Sequence, residues 1–322
     1  MLGGESILNN DKASLLVTVA RMYYEHNCNQ SVIAEKLNIS RPYVSKLLQE
    51  ASASGIVKIS IHDPLDHENS MEKRIRLDYG LQRVFTVPCL PNENTVNQVS
   101  LSAARYLNHI IKNNDIIGIA NGTTMHNFAL NIIPRDDLNH IRIVQLVGEY
   151  INMNHHIPTI ENLKLAADRL SASPYGFPLP MFLENAEIKK AVFQDTNIQK
   201  TLQLQRESNI AIFSVGALGT VGTNSLLRSG FISQPYLDQI KHNGATGDIL
   251  GHFIDVKGNL CDSDLDSRIV SLPLKELLSK EHRIGIAAGR AKLDILKSAL
   301  AGHYMTALII DEELGKGLIL DT

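Results

Sequence analysis

The chain contains no tryptophan, only three cysteines and no apolar run long enough to cross a membrane. Cys28, Cys89 and Cys261 are odd in number and follow no pattern, which excludes a disulfide framework and predicts reduced thiols. The first residues, MLGGESILNNDK, lack the basic start and apolar core of a signal peptide. These absences predict a cytoplasmic protein with no membrane partner. Low-complexity tracts and internal repeats are also missing.

Several kinds of chemistry are missing too. No G-x-S-x-G elbow and no Cys/His arrangement offers a nucleophile. Residues 262–266 begin like a calcium loop, but Ser267 stands where the sixth-position glycine belongs and Pro273 where the twelfth-position acid belongs. His155 and His156 have no partner at metal-ligand spacing. No catalytic residue, metal or cofactor is therefore expected. No large charge of either sign is present: 31 Lys and Arg against 34 Asp and Glu give a net of −3. With 322 residues, 44% hydrophobic and 20% charged, the composition is that of a globular chain with one small domain and one of ordinary α/β size.

What is present begins at residues 30–50, QSVIAEKLNISRPYVSKLLQE. Ile33, Ala34 and Leu37 give a first short helix one apolar face. Asn38-Ile39-Ser40 forms a turn plugged by Ile39, and Ser40 caps a second helix whose first turn tolerates Pro42. Val44, Leu47 and Leu48 repeat at i, i+3, i+4 and face the core. Arg41, Tyr43, Ser45 and Lys46 are left pointing outward near the start of that helix, where a helix-turn-helix meets base edges. The rival reading is a helical hairpin that only packs. A third apolar-periodic helix at 15–24 and an alternating strand at 56–61, after Gly55, favour a winged helix-turn-helix. Residues 1–61 carry six cations against five anions, a net of +1. So neutral a head needs an oligomer to multiply its phosphate contacts.

His62-Asp63-Pro64 ends this first domain, 1–61. Residues 62–80 read as a linker with a charged amphipathic helix closed by Gly80. It is either a connector or dimer contact, or a solvated helix lying on the large domain. From 81 to 322, strands (83–87, 115–120, 141–147, 210–215, 248–254, 283–287, 307–310) alternate with helices (96–111, 125–132, 291–300). That alternation predicts an α/β, Rossmann-like domain with a mostly parallel sheet, whose ligands sit at the carboxyl ends of the strands.

Three loops at those ends stand out. Asn121-Gly122-Thr123-Thr124 follows a buried-type strand and opens a helix, the outline of an anion cradle. It is not a Walker A loop, since no lysine follows the glycine at the required place, and a Gly-Thr turn is equally a plain N-cap. Asp248, after the glycines of 244–247, would accept bonds from sugar hydroxyls or would merely cap its own turn. Lys292 follows the turn on Gly289 and sits where a helix dipole disfavours a cation, which a nearby bound anion would explain. A solvated surface lysine is the rival reading.

These segments, taken together and in order, resemble the SorC-type, sugar-binding family of bacterial transcriptional regulators. The resemblance rests on ARMYYEHNCNQSVIAEKLNISRPYVSKLLQEASASGIVKI near the N-terminus, and on DIIGIANGTTM, SVGALG, GATGDILGHFIDVKGN and IAAGRAKLDILKSALAGHYMTALIIDE further on. Within the family, NISRPYVSKLL and FPLPMFLENAEIKK are most similar to regulators of deoxyribonucleoside operons. The resemblance implies an effector domain related in fold to phosphosugar isomerases and deaminases, which binds a phosphorylated sugar and adjusts the affinity of a homodimer or homotetramer for operator DNA. It implies that Gln30, Ser31, Ser40, Arg41, Tyr43, Ser45 and Lys46 serve the DNA. Asn121, Gly122, Thr123 and Thr124 would hold the phosphate, and Gly216, Asp248 and Lys292 would line the sugar site. One departure stands out: Val147-Gly148-Glu149 replaces a Lys-Gly-Gly that related chains can carry, and valine has no amine to form a Schiff base with an aldehyde sugar.

The expected function is thus a ligand-controlled repressor or other regulator of a carbohydrate or nucleoside operon, not an enzyme. The alternatives are a phosphosugar isomerase or deaminase with an added helical domain, and an interaction module with a degenerate DNA head.

Overall fold

The structure, a computed structural model, describes residues 5–26, 28–57, 68–91, 93–149, 159–218 and 232–320. The chain divides into two compact units, Met1–His67 and Glu68–Thr322.

In the first unit, helix α1 spans Glu5–Tyr24, α2 Gln30–Leu37 and α3 Arg41–Ala53. Their apolar faces meet in one core of Leu16, Val19, Ala20, Ile33, Val44, Leu47, Leu48 and Ala51. Each boundary has a local cause. Asn29 accepts the amide of Val32 at 2.9 Å and starts α2. Asn38 ends it in the left-handed region at φ 51°, a conformation asparagine tolerates better than most residues. Ile39 is half-buried against the core. Ser40 then accepts the amide of Tyr43 at 3.3 Å and starts α3. Lys12 of α1 pairs with Glu50 of α3 at 2.8 Å. The strand expected at 56–61, the wing, lies from residue 58 onward outside the described residues, as do His62-Asp63-Pro64 and His155-His156.

The second unit opens with α4, Ser70–Tyr79. Asn69 and Glu72 form a capping box at its start, and Gly80, at φ 65°, ends it. Ile75 is fully buried, and Glu72 Oε1 accepts both the amide (2.6 Å) and the hydroxyl (3.0 Å) of Thr86. The helix expected within a 62–80 linker therefore lies on the large unit and is part of it. The chain continues through β1 (Arg83–Val87), α5 (Thr95–Ile110), β2 (Ile116–Ile119), α6 (Thr123–Asn131), β3 (Arg142–Gln145), α7 (Thr159–Arg169), β4 (Ser173–Tyr175), α8 (Ala186–Val192), α9 (Thr196–Glu207), β5 (Ile210–Phe213) and β6 (Val215–Ala217). It ends with α10 (Gln234–His242), β7 (Gly247–Ile249), β8 (His252–Ile254), α11 (Ser263–Arg268), α12 (Leu274–Leu277), β9 (His282–Ala287), a 3-10 turn at Arg290–Lys292, α13 (Leu293–Ala301), β10 (Ala307–Asp311) and α14 (Glu312–Leu320).

Among the described residues, seven strands form one parallel sheet in the order β1-β10-β9-β5-β2-β3-β4. β2, β5 and β10 are buried at every position, which matches their unbroken apolar runs and the helices on both faces. β6, β7 and β8 form a separate antiparallel sheet. Two expected strands are corrected by it. The run at 210–215 breaks at Ser214, and Val215–Ala217 leaves the main sheet for the small one. The run at 248–254 is a hairpin, not one strand: Leu250 (φ 53°) and Gly251 (φ 85°) make a two-residue turn with both central residues in the left-handed region.

Candidate functional site

Strand order reverses between β2 and β5: β3 and β4 lie to one side, β9 and β10 to the other. In parallel α/β sheets that reversal opens a crevice at the carboxyl ends. Ile119 pairs with Ile212, so two residues further on Asn121 lies level with Ser214. The next strand end along, after β9, carries Gly289 and the turn to Lys292.

Gly122, at φ 104°, is the N-cap of α6 and makes no side-chain cap bond. The first amides of the helix are left without an intrahelical acceptor, an arrangement that favours an anion. Thr123 is exposed and Thr124 half-buried at that mouth. Asn121 donates through Nδ2 to the carbonyl of Gly148 at 2.8 Å, while its buried Oδ1 has no hydrogen-bond partner among the described residues.

Lys292 closes the 3-10 turn after Gly289 rather than standing inside a helix. It is not a solvated surface lysine. Its Nζ donates to Ser214 Oγ at 2.9 Å. Burial pulls the ammonium down to about 8, against the opposing charges of Asp248 and Asp311. Asp311, at the end of β10, accepts the amide of Gly289 at 2.6 Å and that of Leu314 at 2.9 Å, which fixes the turn.

Asp248 sits opposite Gly216 in the antiparallel pair. It is buried, and burial raises its carboxyl to about 6 against the Gly251 amide bond and the charges of His252 and Lys292. Its Oδ2 does accept the Gly251 amide, at 3.0 Å, so it also caps its own turn. Val147, where an amine would be needed for a Schiff base, is buried and bridges to Ser271.

Of the residues expected from sequence, Asp248 and Gly216 are in direct apposition, and Lys292 is electrostatically coupled to Asp248. Asn121 lies level with Lys292's partner Ser214, with Gly122, Thr123 and Thr124 beside it. Sequence reasoning missed Ser214 and Asp311. Both lay within motifs already singled out, SVGALG and ALIIDE, but the register that aims them at Lys292 is tertiary.

In the first unit, Arg41, Tyr43 and Lys46 are exposed on the N-terminal half of α3, and Ser45 beside them is half-buried. Ser31 is exposed and Gln30 half-buried at the start of α2; Ser40 is exposed, its oxygen engaged by the Tyr43 amide. This is the layout of a recognition helix with a supporting first helix.

The fold thus joins, in one chain, a helix-turn-helix unit to an α/β unit with a parallel sheet. The Sugar-bind family, described as "Putative sugar-binding domain", matches residues 63–319. The deoxyribonucleoside regulator of Bacillus subtilis is 33% identical over 317 residues, 98% of this chain and 100% of the relative. The transcriptional regulator LsrR of Escherichia coli O157:H7 is 27% identical over 302 residues, 94% of this chain and 93% of the relative. The full-length sorbitol operon regulator SorC of Klebsiella pneumoniae shares the fold, with a TM-score of 0.78 at 24% identity over 95% of this chain and 98% of that one. The chain belongs to this family of SorC-type, sugar-binding transcriptional regulators.

Proposed function

We propose that this regulator controls a carbohydrate or nucleoside catabolic operon and that a phosphorylated sugar sets its affinity for operator DNA. The phosphate sits on the uncapped amides of α6 at Gly122–Thr124, the sugar hydroxyls bond Asp248 and Asn121 Oδ1, and Lys292 balances the charge. The observation that carries this reading is the half-buried Lys292 ammonium, tied to Ser214 level with the Asn121 loop and coupled to Asp248. A cation held there at the cost of its solvation suits an anionic ligand. Because a buried valine occupies position 147, the effector is held without a Schiff base there. The protein acts in the cytoplasm as a homodimer or homotetramer. It has no catalytic role, and turnover of phosphosugars by the pure protein distinguishes this from the isomerase or deaminase reading.

The test is fluorescence anisotropy of labelled operator with and without phosphosugar, paired with effector titration with and without operator. The two couplings must be equal, since linkage is reciprocal. An operator affinity that no phosphosugar changes contradicts the proposal.

A further inference from the structure

Helix α14 is gripped on two flanks at its two glycines. A Cβ on Gly315 would lie 2.5 Å from Met71 Sδ, and one on Gly317 would lie 2.8 Å from Leu293 Cδ2. At about 100° per residue the two positions stand about 200° apart, so Met71 and Leu293 press on opposite flanks of the helix. Leu314 and Leu318, between those flanks, are fully buried, while Glu313 and Lys316 are exposed on the remaining face. With no side chain at either glycine, helix backbone meets its neighbour directly, and neither flank has slack to absorb a shift.

The two neighbours belong to different parts of the second unit. Leu293 opens α13 and directly follows Lys292 of the cleft turn. Met71 is in the first turn of α4, the first helix after the segment that joins the two units. Both contacts are fastened by hydrogen bonds. At the cleft turn, Asp311 takes the Gly289 amide on Oδ2 and the Leu314 amide on Oδ1, so one carboxylate ties that turn to the start of α14. On the other flank, Tyr79 of α4 donates its hydroxyl to the Leu318 carbonyl at 3.4 Å. Arg76 of α4 in turn holds Glu68, the first residue of the second unit, through Nε to Oε1 at 2.5 Å and Nη2 to Oε2 at 3.1 Å.

We infer that α14 is the element through which effector occupancy reaches the end of the second unit from which the chain leads to the helix-turn-helix. A bound anion that draws Lys292 carries Leu293 with it, and α14 passes that shift, as one rigid helix, to α4 and Glu68. This rests on the cleft being the effector site proposed above. Linkage then requires two positions of α14, one favoured by the filled cleft and one by the empty cleft.

Hydrogen exchange of the full chain, read by mass spectrometry, tests this with inorganic phosphate as the probe. In the free protein Leu293→Ala should speed exchange of 70–79 about threefold or more, and Met71→Ala that of 287–293, with α7 at 159–169 unchanged. Leu293→Met, which refills the space, should restore the wild-type rate at 70–79. In wild type, phosphate should slow exchange at both 121–125 and 70–79. In Met71→Ala it should still slow 121–125 and no longer reach 70–79, a separation that a packing role alone does not produce. Exchange at 70–79 that ignores Leu293→Ala overturns the inference, as does a phosphate effect at 70–79 that survives in Met71→Ala. Phosphate that changes 121–125 alone in wild type overturns it too. Phosphate that changes neither stretch refutes the proposed phosphate site instead, and the variants of the free protein still decide the inference.

Discussion

Asp248 faces Gly216 so closely that a Cβ on the glycine would lie 2.0 Å from Asp248 Oδ1. The glycine is what lets that buried carboxylate adopt its observed rotamer. Gly216→Ala should displace that carboxylate and weaken binding of any phosphosugar that wild type binds by at least about tenfold, one lost charged hydrogen bond. Operator binding should persist without its response to effector. Calorimetry of the variant checks this; unchanged affinity removes Asp248 from the site.

The raised carboxyl of Asp248 makes stability depend on pH. Its folded value of about 6 lies above the ordinary 3.8, so between them the folded chain binds more protons than the unfolded chain. The stability it contributes is full below the unfolded value and is lost as pH rises through the folded one. Asp248→Asn lacks this dependence and should gain on wild type from pH 4 to 6, by roughly 3 kcal/mol if the whole shift is expressed. Lys292 has the opposite sign: held at about 8 rather than 10.5, it costs stability below that window and returns it as pH rises through it. Denaturant titrations at stepped pH measure both, and a pH-independent difference between wild type and Asp248→Asn would contradict the burial argument.

The helix-turn-helix was largely legible because every boundary is local: Ser40 caps, Asn38 turns, and the apolar faces repeat at helical spacing. The central strands were legible for the same reason, since IIGI, IAIF and ALII are apolar throughout. What escaped depended on contacts made at a distance. The β7–β8 turn puts Leu250 at positive φ, and leucine gives no turn signal. Helix α14 carries Gly315 and Gly317 inside it, which lowers its intrinsic propensity. Both are small because Met71 and Leu293 pack where their side chains would be. Three loops at the strand ends stand out in the sequence, but the burial of Lys292 and its bond to Ser214 exist only once β5 and β9 are side by side.

Arg41 stands exposed at the start of α3, just after the Ser40 cap. If it pairs bidentately with a guanine, Arg41→Ala should cost about 1–3 kcal/mol of operator affinity and relax specificity at one base pair. Anisotropy on a set of single-base operator variants reads both effects. Full affinity and specificity with the fold intact would remove Arg41 from the interface.

A DNA head with a net charge of +1 across residues 1–61 needs repeated contacts. Light scattering at micromolar concentration should give a dimer or tetramer, and the operator should carry two half-sites about 34 Å apart or a multiple of that. A monomer that still binds operator tightly contradicts this.

The central claim is that the cleft recognises the phosphate of a sugar. Calorimetry with matched phosphorylated and free sugars on wild type, Thr123→Ala and Lys292→Ala tests it most directly. The phosphosugar should bind wild type at least about tenfold more tightly than the free sugar, and both substitutions should remove most of that advantage. Equal affinity for the two sugars, or normal phosphosugar binding by both variants, would contradict it.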